Sequence, residues 1–141
     1  MSESVDFARL IREGDSIAWG TAAAEPVALL AMLDAQMERL PRASVLLGLG
    51  LGKHPDPKKL AARMHVRALG GAGTNKAYQD LGALDVLPVH YSALPHLVAR
   101  GEVPVDVVLL QLSGSIGNPS LALMIDHVHA AVPKARVVVA E

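Results

Sequence analysis

The chain has 141 residues, of which 51% are hydrophobic and 19% charged, a composition for one globular domain with a continuous core and not for a disordered segment. Its formal net charge of -1 leaves no electrostatic footprint for nucleic acid or anionic lipid, and the lack of cysteine excludes disulfides and thiolate chemistry. The opening segment "MSESVDFARLIREGD" has no apolar core, and no run approaches the ~18–20 apolar residues that span a bilayer, so a soluble cytoplasmic domain is expected.

The predicted elements alternate between helix and strand. In "SVDFARLIREGD", Val5, Ala8 and Ile11 share one side and Gly14 closes the turn, which predicts a short opening helix. "SIAWG", residues 16–20, reads as a brief strand. "PVALLAMLDAQMERL" starts with Pro26 in a tolerated first-turn position and spaces Leu30, Leu33, Met37 and Leu40 along a helix face. Strands are expected at residues 44–51 and 64–69, the second running into a glycine cluster and then a short helix over 75–81. Residues 85–90 form a further strand, which Pro88 sends to an edge or ends early. Ser92 is expected to cap the next helix and Gly101 to stop it. Residues 105–113, "VDVVLLQLS", are the longest β-branched apolar run and read as a central strand. Asp126 caps a last helix, and "RVVVA" reads as the final buried strand.

This alternation implies βαβ units and one α/β domain: an open, mainly parallel sheet with helices on both faces. Ligands in such sheets sit beyond the carboxyl ends of the strands, which directs attention to the loops after Gly20, Leu69 and Ser113.

The individual motifs are modest. "GLGLGK", residues 48–53, has three residues between its outer glycines where a phosphate-binding loop needs four, and His54 stands where that loop needs a hydroxyl, so a glycine-softened strand and turn is expected. "LGGAGTN", residues 69–75, is either a tight turn needing positive φ or a place where backbone amides approach a ligand. Thr21 and Glu25 lie after the first strand; they offer ligand contacts, but Glu25 is expected to complement the positive end of the helix that follows. The six histidines show no ligand spacing, His127 and His129 pointing apart on one helix, so no metal is expected. No G-x-S-x-G elbow is present. Lys53, Lys58, Lys59, Arg63 and Arg67 cluster locally, either as a solvated helix face, the commoner meaning, or as a patch that meets a nucleotide phosphate. These residues do not assemble a catalytic constellation.

Three segments resemble the family of acetyl-CoA hydrolases and 4-hydroxybutyrate-type CoA-transferases. "IREGDSIAWGTAAAEPVALLAML" is similar to the family's I-x-x-G-D, strand, G-x-x-x-x-E-P-x-x-L. "GALDVLPVHYSALPHLVARGEVPVDVVLLQLS" resembles G-x-A-D-x-x-P-x-x-x-S-x-x-P-x-L followed by P-x-D-V-A-L-I-Q-V-S. "GNPSLALMIDHVHAAVPKARVVVAE" is similar to G-x-x-S-L-G-x-S-V-D and the strand that reaches A-E, so Asp106, Gln111, Ser113, Ser120 and Asp126 recur in order. The chain departs from the family after Ser113, where "GSI" replaces a longer proline- and acid-containing loop. It departs also around Asp85, where Ala83, Leu84 and Val86 replace an arginine and a tyrosine, and at Ala122, often a glycine.

The resemblance implies an amino-terminal domain of a two-domain enzyme over residues 1–141, with the carboxy-terminal catalytic domain absent. It implies coenzyme A as substrate, acyl-CoA and a small carboxylic acid as partners, and a glutamyl-CoA thioester formed on a glutamate outside this chain. The present domain would then contribute substrate-binding loops at Gly20 and Thr21, at Gly70, Gly71 and Asn75, and at Ser113 and Asn118, with no catalytic residue of its own. A carboxy-terminal domain or subunit and homo-oligomeric association are expected, nucleic acid and membrane are not. The rival expectation is a non-catalytic ligand-binding or regulatory module, or the partner subunit of a two-chain transferase, suggested by the altered "SGSIGN" loop.

Overall fold

A computed structural model of the protein describes residues 4–53, 55–115, 117–121 and 123–141; the sequence features at His54, Ile116 and Ala122 lie outside the described residues. Six strands form one parallel sheet: β1 (Ser16–Trp19), β2 (Ala43–Leu47), β3 (Met64–Ala68), β4 (Leu84–Val86), β5 (Val107–Leu110) and β8 (Val137–Ala140). Their order is β4-β3-β2-β1-β5-β8. The chain therefore winds outward from β1 to β4, returns across the sheet, and continues from the opposite side of β1. The reversal lies between β1 and β5, and their carboxyl ends open the crevice where such sheets place ligands.

The winding also decides which face each helix covers, because parallel crossovers keep one hand. Helices α1 (Phe7–Leu10), α2 (Val27–Gln36), α3 (Pro57–Arg63) and α4 (Lys76–Asp80) bury Phe7, Leu30, Leu33, Leu60 and Tyr78 against Ile17, Val45, Val66, Val107 and Leu109. After the reversal, α5 (Leu94–Ala99) and α6 (His127–Ala131) bury Leu94, Val98, Val128 and Ala131 against Ala18, Leu46, Val108 and Leu110. Ile17 and Ala18, or Leu109 and Leu110, thus feed opposite cores, as the two-residue repeat of a strand requires. Both faces are covered, as the alternating pattern implied.

Several expected boundaries move, each for a stated reason. The strand expected over 85–90 ends at Val86: the Leu87 amide makes a last bond to Ala68 at 2.8 Å, and Pro88 has no N–H to continue. The strand expected over 44–51 ends at Leu47, where the chain enters the glycine loop. The run 105–113 keeps only Val107–Leu110 as an interior strand; Ser113 belongs to a small antiparallel hairpin of β6 (Ser113–Ser115) and β7 (Asn118–Ser120). The final strand forms but lies at the sheet edge, with Val137 and Val139 half-buried and Val138 exposed, so it is not the buried strand expected. Ser92 is not the cap of α5; the His90 ring accepts from the Ser92 amide at 3.3 Å and starts a 3-10 turn, Tyr91–Ala93, that leads into the helix. Helix α3 carries a start signal that was there to be read: Asp56 accepts from Lys58 and Lys59 amides at 2.9 and 3.1 Å, with Pro57 in the first turn.

Close packing of the strand ends leaves no room for side chains at two glycines. A Cβ on Gly20 would sit 2.2 Å from the Ala24 carbonyl oxygen, and one on Gly48 would sit 1.6 Å from Thr21 Cγ2. Nothing lies within 4 Å of the corresponding position on Gly70. Gly20→Ala and Gly48→Ala are each expected to cost about 2 kcal/mol or more in urea unfolding, whereas Gly70→Ala stays within roughly 0.5 kcal/mol of the parent.

Candidate functional site

The loops after β1, β2 and β3, together with the starts of α5 and α6, line a half-open cavity of about 430 Å³. It lies at the carboxyl edge of the sheet, beside the reversal between β1 and β5. Thr21, Gly48, Gly70, Asn75 and His127 line it, with Leu47, Leu49, Leu69, Leu94 and Met124 making it mostly apolar. None of the described residues lining it is Asp, Glu, Lys or Arg.

Two buried carboxylates hold these loops in place. Asp126, 6% exposed, accepts from the Thr21 amide at 2.7 Å and the Thr21 hydroxyl at 2.8 Å through one oxygen. Its other oxygen accepts from the Val128 amide at 3.0 Å and caps α6. One side chain thereby joins the loop after β1 to the helix that follows β5. The neighbouring Ala22 adopts a positive φ of 46°, unusual for a residue with a Cβ, and its amide donates to the Leu49 carbonyl at 2.7 Å.

Glu25, 5% exposed, turns into the glycine loop of residues 48–53. Its Oε2 accepts from the Leu51 and Gly52 amides at 2.9 and 2.7 Å. This loop therefore cradles an anion after all, but the anion is the protein's own carboxylate. The expectation that Glu25 complements the start of α2 is corrected on geometric grounds. That service falls to Glu141, whose Oε2 accepts from the Leu29 amide at 2.6 Å across 112 positions of sequence. A smaller cavity of about 150 Å³ adjoins the loop, with Trp19, Glu25, Lys53, Thr74 and Tyr78 among its lining residues.

Among the expected site residues, Thr21, Gly70 and Asn75 come together on the larger cavity. Gly20 lies buried behind Thr21, and Gly71 faces Gln79 on α4. The glycine cluster meets its turn reading, since Gly73 holds a positive φ of 59°, and Gly70 has open space beside it. Asn75 is buried and donates to the Gly70 carbonyl at 3.3 Å. Ser113 and Asn118 stand apart, exposed on the β6–β7 hairpin and absent from the cavity lining.

The sequence spacing gives His127 no site role. It is 1% exposed and lines the cavity, and neither ring nitrogen has a hydrogen-bond partner among the described residues. Leaving a buried polar group unmatched costs about 1–3 kcal/mol, so an imidazole there needs a reason that packing alone does not supply. The sequence signal was available: His127 follows the Asp126 cap on the inward face of α6, whereas His129 is exposed. Burial holds the His127 pKa below its ordinary value, and the charge of Asp126 opposes that shift.

Two measurements follow from this geometry. Asp126→Ala strands two amides and a hydroxyl and is expected to cost about 3 kcal/mol in urea unfolding, against about 1 kcal/mol for Thr21→Val, with the double variant less than additive. For His127 the unfolded state takes up the proton more readily than the folded state. Its contribution to stability is present above about pH 6.5 and is lost as pH falls through the depressed folded value, so His127→Leu should flatten the fall in stability below about pH 6.5.

A family description, acetyl-CoA hydrolase/transferase N-terminal domain, matches residues 1–141. Among solved structures, the chain is similar to a 4-hydroxybutyrate CoA-transferase (abfT-2) from Porphyromonas gingivalis at 25% identity and a TM-score of 0.63, over 92% of this chain and 29% of that one. It is similar in fold to RipA from Yersinia pestis at 20% identity and a TM-score of 0.76, over 94% of this chain and 34% of that one. The chain thus spans about a third of the length of these structures. A comparison with curated proteins returned no match. No helix among the described residues is long and apolar enough to cross a membrane. With the match running over the whole sequence, the chain belongs to the acetyl-CoA hydrolase/transferase N-terminal domain family.

Proposed function

We propose that residues 1–141 form one wall of a thioester-handling cleft in a CoA-transferase or acyl-CoA hydrolase acting on small carboxylic acids. Its attacking glutamate lies outside this stretch, in a second domain or subunit. The observation that carries the reading is the commitment of the two buried acids at the loop edge: Glu25 is held by the Leu51 and Gly52 amides and Asp126 by Thr21 and Val128. The cavity beside them has no acidic lining residue among those described. A cleft of this kind therefore receives its nucleophile from the facing side.

In the proposed reaction the external glutamate attacks the acyl-CoA carbonyl, forming an acyl-glutamyl anhydride and expelling CoA thiolate. The thiolate attacks the glutamyl carbonyl, releases the first carboxylate and leaves a glutamyl-CoA thioester. An acceptor carboxylate attacks that thioester to give a second anhydride and thiolate; the thiolate then takes the new acyl group and frees the glutamate. Water in place of the acceptor gives hydrolysis. Two moderate steps replace one difficult exchange. The loops bearing Gly20, Thr21, Gly70, Gly71 and Asn75 would shape the substrate wall, and the exposed hairpin with Ser113 and Asn118 would reach toward the facing domain. Coenzyme A enters as substrate, and association with that domain, and between copies of the chain, covers the loop edge. A cytoplasmic setting suits this chemistry.

Exchange of isotope between a carboxylic acid and its CoA thioester tests the proposal. The chain alone should give no exchange, and addition of a family carboxy-terminal domain should produce it. Exchange by the chain alone, or none with any such partner while both remain folded, would contradict the reading and favour a binding module.

A further inference from the structure

The cavity carries more information than its position. Its volume of about 430 Å³ falls within the range of small-molecule sites. At ~30 Å³ for each water-sized unit, it has room for roughly a dozen non-hydrogen atoms, well beyond an acetyl group. Leu47, Leu49, Leu69, Leu94 and Met124 give it an aliphatic wall.

Its polar groups are few, and most are already engaged. The Thr21 hydroxyl donates to Asp126, and the Asn75 amide donates to the Gly70 carbonyl. Tyr91 also lines it but is 49% exposed, and His127 is the buried exception, with both ring nitrogens unmatched among the described residues. An imidazole offers one donor and one acceptor in its neutral form. No lysine or arginine is among the described lining residues, so a carboxylate or phosphate entering the cavity would lack a counter-charge. An uncharged oxygen on an otherwise aliphatic ligand meets neither obstacle.

We propose that this cavity binds uncharged aliphatic acyl groups of intermediate length, about four to eight carbons, and that His127 is the specificity-determining residue that recognises a neutral oxygen on the bound group. The ligand class rests on the thioester reading of the same loop edge. The occupancy of the cavity does not, and it can be measured without turnover.

The test uses the 141-residue chain with nitrogen-labelled histidine and three N-acetylcysteamine thioesters: hexanoyl, acetyl and succinyl. The hexanoyl thioester should shift the His127 ring nitrogens and bind at least about tenfold more tightly than the acetyl or the charged succinyl compound. His127→Leu should weaken hexanoyl binding about tenfold and His127→Gln, which restores a donor and an acceptor, should recover most of it. Ala72→Phe, at an exposed rim position, narrows the cavity without entering the core and should weaken binding similarly even if the His127 variants fold poorly. No movement of the His127 signals up to about 10 mM hexanoyl thioester, equal binding of the succinyl compound, or unchanged binding in both His127→Leu and Ala72→Phe would overturn the proposal. Selective binding without exchange in the reconstituted enzyme would reject the thioester function and leave the cavity assignment standing. Exchange with no chain-length preference would do the reverse.

Discussion

Backbone amides at the carboxyl edge of a parallel sheet must find acceptors, and in this protein buried carboxylates provide them. Asp126 is the acceptor on which the arrangement depends, because it takes bonds from the loop after β1 and from the start of α6 at once. These two segments lie beyond the paired strands β1 and β5, outside the ladder that joins Ile17, Ala18 and Trp19 to Val107, Val108 and Leu109. That bridge ties Thr21 to the start of α6 and so helps shape the cavity that Thr21 and His127 share. Glu25 does the same for the loop after β2, and Glu141 for the start of α2.

This use of carboxylates has a chemical consequence. An acid that already accepts two or three short hydrogen bonds is a poor nucleophile, since its lone pairs are engaged and its position is fixed. The same bonds tie both carboxylates into the loops, and the described lining of the cavity is left mostly apolar, with Tyr91 and the buried, unmatched imidazole of His127. The chain belongs to the acetyl-CoA hydrolase/transferase N-terminal domain family and spans about a third of the length of the related structures.

The sequence made the α/β architecture legible because local signals and global topology agree. Alternation of apolar runs with capped helices placed five of the six sheet strands close to their observed positions, and Pro88 correctly shortened the other. The Asp126 cap was visible for the same reason, since it is a local feature. What stayed hidden depends on distance along the chain. The anion in the "GLGLGK" loop comes from Glu25, 26 and 27 positions from the amides it meets, and the acceptor at α2 comes from Glu141, 112 positions away. For His127 the position after the Asp126 cap was legible, but the lack of partners for its ring nitrogens was not, because that depends on the tertiary burial around it. The edge position of β8 was equally invisible, as an apolar strand reads alike whether one or both of its sides are paired.

The central claim is that the acids of this domain are structural and that the covalent intermediate forms elsewhere. Trapping it is the most direct measurement: the chain combined with a family carboxy-terminal domain is incubated with acyl-CoA, quenched with hydroxylamine and mapped by mass spectrometry. The account predicts a single glutamyl hydroxamate outside residues 1–141, with Glu25 and Asp126 unmodified. A hydroxamate on Glu25, or on any other carboxylate within this chain, would contradict it.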